Sequence, residues 1–167
     1  MNVENLYTYC GVSCSTCARY YENMLLVKLA KALAELVDAH GFQEWMPAEV
    51  GEFDYKEFRK GLAFLADKKS WLVCRKTCKE GAGRPDCEIR RCCEARGLSL
   101  CFECEDFPCE KVVGNEELMK RAKSFMELGK KAWLNLLSRK IERNYEHHTG
   151  KSYEIKITKS REQNKFK

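Results

Sequence analysis

The chain has 167 residues, a net charge of +5 and eleven cysteines, with 44% hydrophobic and 33% charged residues. That length is enough for one domain with its own core, so the cysteines are not needed merely to staple a mini-protein. No apolar run exceeds five residues, MLLV at residues 24–27 being typical, and the first ten residues lack a basic-then-apolar leader pattern; both argue against a membrane span or secretory signal and for a reducing cytoplasmic setting.

In chain order, YCGVSCSTC at residues 9–17 sets Cys10, Cys14 and Cys17 in a C-x3-C-x2-C group. Residues 18–40 predict a helix, with Leu26, Leu29, Ala30, Leu33 and Val37 on one face and Gly41 as its stop. A second helix is expected over 54–67. Asp54 stands at its N-cap and Glu57 at N3, and Phe53 and Phe58 take the hydrophobic-staple positions. Phe58, Leu62 and Leu65 share a face of it.

Residues 72–110 read as irregular, yet they hold eight cysteines. GAGRPD at 81–86 is turn chemistry, and IRRCCEAR at 89–96 predicts a short helix stopped by Gly97. Asn115 caps a long helical stretch reaching residue 146, with Ala122, Phe125, Met126, Trp133, Leu136 and Leu137 facing the core and Gly129 kinking or dividing it. YEIKI at 153–157 alternates like an edge strand, and the last ten residues read as loose. The expected fold is mainly α: one metal-binding domain over 1–150, with the irregular segment inside it, and a basic tail over 151–167.

Charge divides the chain. Residues 1–110 carry 15 Lys and Arg against 18 Asp and Glu, whereas residues 111–167 carry 15 against 7. All eleven cysteines lie in the acidic part. The basic part either docks on the metal-bearing part or offers a surface to nucleic acid or another polyanion.

The thiols fall into three groups: Cys10, Cys14 and Cys17; then Cys74, Cys78, Cys87, Cys92 and Cys93; then Cys101, Cys104 and Cys109. Short spacings let a tight turn aim two sulfurs at one ion about 2.3 Å away while its amides bond to them. In a reducing compartment such grouping points to metal rather than disulfides. Two four-thiolate zinc sites use eight cysteines; a third needs a ligand such as His40, His147 or His148. Cys92 and Cys93 are adjacent and cannot easily share one tetrahedral ion, so Cys92 is the expected ligand and Cys93 a buried or free thiol. The rival cofactor is a [4Fe–4S] cluster. The first group resembles the cluster motif of radical S-adenosylmethionine enzymes, but Thr16 replaces the usual aromatic, and the strands of a β/α barrel are not evident.

Three longer pieces also resemble a prokaryotic family of uncharacterised cysteine-rich proteins. They are YCGVSCSTC, GAGRPDCEIRRC at 81–92 preceded by Cys78, and GLSLCFECEDFPCEK at 97–111, with ELGKKAW at 127–133 as a further match. The resemblance implies zinc held by Cys10, Cys14, Cys17, Cys78, Cys87, Cys92, Cys101, Cys104 and Cys109, with Cys74 a looser match, and it adds no reaction. No Ser-His-Asp order, phosphate loop or carboxylate dyad stands out. The sequence-level expectation is therefore a structural zinc protein with two ions, or three as the alternative. It would serve a protein partner as a non-catalytic interaction or regulatory module, with an iron–sulfur protein and a nucleic-acid binder as its rivals.

Overall fold

A computed structural model of the chain describes residues 7–156. Five helices dominate: α1 (Leu25–Ala39), α2 (Phe42–Glu49), α3 (Tyr55–Ala66), α4 (Glu88–Ala95) and α5 (Glu116–Glu142). Strands β1 (Tyr145–Glu146) and β2 (Lys151–Ser152) pair antiparallel. The mainly α expectation holds.

The local signals act as read. The Asp54 carboxylate accepts the Glu57 amide at 3.0 Å, and the Phe53 and Phe58 rings meet at 5.7 Å as the staple. Asn115 accepts the Leu118 amide at 2.9 Å. Gly97 stops α4 with a positive φ of 65°. Inside α5, Gly129 has φ 72° and ψ 160°, so two helical rods meet there at an angle.

Several expectations need correction. The helix expected from residue 18 starts only at Leu25, because the backbone of residues 19–21 is engaged elsewhere. The Cys74 amide donates to the Arg19 carbonyl at 2.9 Å, and the Tyr21 amide to the Cys74 carbonyl at 3.0 Å. Helix α2 was not anticipated; it follows directly from Gly41, whose φ of 63° ends α1 and turns the chain. The buried face of α1 is Leu25, Val27, Ala30, Ala34 and Val37, while Leu29 and Leu33 are 40% and 46% exposed. Helix α3 sets that face: its Leu62 packs on Ala30 and Ala34, whose small side chains allow close approach. Finally, α5 ends at Glu142 rather than reaching residue 146, Met126 on it is 57% exposed rather than core-facing, and the strand pair forms upstream of YEIKI. Residues 153–156 are irregular, and residue 157 and the last ten lie outside the described residues.

The main core lies away from α1–α3. Tyr7, Leu100, Phe102, Val112, Leu118, Ala122, Trp133 and Leu137 cluster with two thiols, Cys93 and Cys101. The cysteine-bearing loops are thus part of the hydrophobic interior. Gly11 shows how tight this is: a Cβ there would stand 2.6 Å from the Phe102 ring.

Candidate metal centre

All eleven cysteines are unbridged thiols. The first turn, Cys14–Thr16, is a short 3-10 segment whose Cys17 amide bonds the Cys14 carbonyl at 2.9 Å. Just beyond this turn the chain makes a strand-like contact between Tyr20 and Cys74. Burial pushes the Cys14 thiol up to about 11, against a hydrogen bond from the Cys78 amide; Cys78, Cys17 and Cys74 nearby add to the rise. Burial likewise raises Cys17, against the Arg19 amide, with Cys74 and Glu146 adding to it. Cys14, Cys17, Cys74 and Cys78 are therefore one neighbourhood.

The sequence reading missed the acid that joins it. Donor atoms of Cys17, Glu146 and His148 all lie within 4.8 Å of one another. Glu146 is 3% exposed. One of its oxygens accepts the Thr149 amide at 2.8 Å and the other the Ala18 amide at 3.4 Å. His147 is turned away: its Nδ1 sits 3.1 Å from the Thr16 hydroxyl. Burial first, then His148, lowers its basicity. The two imidazoles stay in contact, with ring centroids 4.0 Å apart, His147 lying against the first cysteine turn and His148 in the donor set.

A second group forms around α4 and the 101–109 loop. Cys92, Cys93, Cys101, Cys104 and Cys109 line one cavity of about 20 Å³, together with Ile89, Leu98, Phe107 and Val112. That is room for about one water-sized body. Burial raises Cys93 and Cys101, each to about 12. After burial, Cys92 and Cys104 are the leading charges raising Cys93, and Cys93 and Cys10 those raising Cys101. Cys104 also accepts a bond from the Arg96 guanidinium at 3.1 Å. Cys10 and Cys87 lie near both groups, since both add to the burial-driven rises of Cys78 and of Cys93. Cys93 is buried, as expected. Among the described residues no three cysteine sulfurs gather within 4.8 Å; the set that does so is the mixed one.

Two further side chains hold the loops that carry these thiols. Arg90 is 8% exposed, and its guanidinium donates to the carbonyls of Ala82 at 2.7 Å, Arg84 at 2.8 Å and Pro85 at 3.3 Å. It clamps the GAGRPD turn that delivers Cys87. Glu80 accepts the Thr77 amide at 2.7 Å and closes a capping box over the Cys78 turn. Cysteine, histidine and carboxylate are the donors zinc takes, and amide bonds to sulfur and carboxylate are the outer support such sites need. The residues present therefore fit a zinc ion.

Among the described residues no helix is long and apolar enough to cross a membrane. No match to the chain is found among curated proteins or solved structures. The family model described as "Protein of unknown function (DUF3795)" matches residues 6–114, which contain every cysteine and stop short of Glu146 and His148. With well over half of its length matched, the chain belongs to the DUF3795 family of proteins of unknown function.

Proposed function

We propose that the protein is a metal-binding module in which two zinc ions organise the cysteine-bearing loops, serving an interaction or regulatory role without a catalytic step. One ion would sit at Cys17, Glu146 and His148, with Cys14 and Cys74 beside it. The other would sit in the cavity lined by Cys92, Cys101, Cys104 and Cys109. The observation that carries the reading is the convergence of a thiol, a buried carboxylate and an imidazole within 4.8 Å. These side chains come from segments far apart in the chain. The crowding of thiols around Cys14 and around Cys93 and Cys101 supports it further. Ionising several of them side by side is unfavourable unless a dication offsets the charge, and binding then releases their protons.

The same set weighs against an iron–sulfur cluster, which is held chiefly by thiolates. The β/α barrel of the radical enzymes is not formed among the described residues, whose sheet has two strands. The test is elemental analysis of protein purified without oxygen, with its optical spectrum. A colourless preparation with two equivalents of zinc is expected. Iron with acid-labile sulfide and broad visible absorption would replace the reading. Chelation should make residues 72–110 protease-sensitive, and unchanged resistance after full metal removal would count against a structural ion.

A further inference from the structure

A second cavity, of about 180 Å³, opens between the first cysteine turn and α5. Its apolar wall is Trp133 and Leu137, both buried. Its polar side is Ser13, Lys120, Arg121 and Lys140. The Ser13 hydroxyl is 2% exposed at the residue level and has no hydrogen-bond partner among the described residues. A buried hydroxyl left so is unusual and calls for a ligand or water. Arg121 donates from Nε to the Cys10 carbonyl at 3.3 Å, which fixes the guanidinium at the wall. Lys120 is paired with Glu117 at 2.7 Å, and the Lys140 ammonium stands 5.0 Å from the Tyr145 ring centroid. Glu117 is the one carboxylate among the residues lining the cavity.

We propose that this cavity binds a small organic oxyanion, a carboxylate or a phosphate monoester, with a compact apolar body. The body would lie against Trp133 and Leu137. The anionic end would take Arg121 and Lys140 as cations and the Ser13 hydroxyl as a donor. Size supports this: a buried cavity of about 150 Å³ accepts benzene. Planar, forked guanidinium suits an oxyanion better than a point charge alone. No thiol lines the cavity, so the proposal is argued from other residues than the zinc reading.

The test titrates phenyl phosphate, benzoate, phenol and inorganic phosphate into the full chain as purified, followed by amide and indole NMR shifts. Saturable binding of phenyl phosphate or benzoate, at about millimolar affinity for so small a ligand, is expected at Ser13 and the Trp133 indole. Whichever of the two binds names the head group. Phenol should bind at least about tenfold more weakly, since it lacks the charge. Lys140→Ala and Ser13→Ala should each weaken the anion several-fold while leaving the remaining spectrum folded. Phenol binding as tightly as the anions, no saturation by either anion, or wild-type affinity in Lys140→Ala overturns the proposal.

Discussion

Arg90 carries a charge into the interior and satisfies it with three backbone carbonyls from one turn. Removing the guanidinium leaves those carbonyls without their donor, so Arg90→Met is expected to cost about 2–4 kcal/mol in urea unfolding. Lysine offers a point charge rather than a fork and should recover little of this. Gly11 is a second sensitive position. Its φ of 75° and the Phe102 ring 2.6 Å from any added Cβ combine backbone strain with overpacking. Gly11→Ala should lower stability by about 2–4 kcal/mol, read as a drop in the melting temperature. Neither effect is visible in the sequence. Both depend on a neighbour the chain reaches only by folding. Asp54 and Asn115 are the opposite case, because a cap acts within three residues and its pattern is local.

The elements show the same division. Phe125 and Trp133 are eight residues apart in α5, which in a straight helix separates them by about 12 Å along the axis. Their ring centroids are 5.4 Å apart, because Gly129 folds one rod toward the other. Its φ and ψ lie in a region that essentially glycine alone adopts. Gly129→Ala should therefore cost about 1–3 kcal/mol and quench the aromatic near-UV circular dichroism from Trp133. A variant with an unchanged spectrum would show that the bend does not set this packing. The bend itself was legible, since an isolated glycine in a helical pattern signals a break. The start of α1 was not, because the pairing of residues 19–21 with Cys74 spans more than fifty residues. The buried side of α1 was also hidden. Leucines at 29 and 33 fit a helical stripe as well as the alanines do, and only the docking of Leu62 decides between them.

At the scale of the molecule, the thiol-bearing loops and α5 share one hydrophobic interior, while α1 and α3 form a smaller packing of their own. The metal reading predicts that His148→Ala removes one equivalent of zinc and leaves the other, whereas Cys104→Ser removes the other. Loss of neither, measured by elemental analysis, would reject both assignments. His148 is exposed, so its replacement tests the ligand rather than the fold. The cysteines announced themselves through spacing. Glu146 did not, and His148 stood only as a candidate for a third ion, because nothing near them in sequence points to Cys17, about 130 residues away.

That long separation has a mechanical meaning. An ion held jointly by Cys17 and the β1–β2 hairpin would turn most of the polypeptide into a ring, and tying off so large a ring is worth about 4–5 kcal/mol in lost freedom of the open coil. A single protease nick anywhere inside that ring should leave two fragments that migrate together on a native gel and separate once a chelator is added.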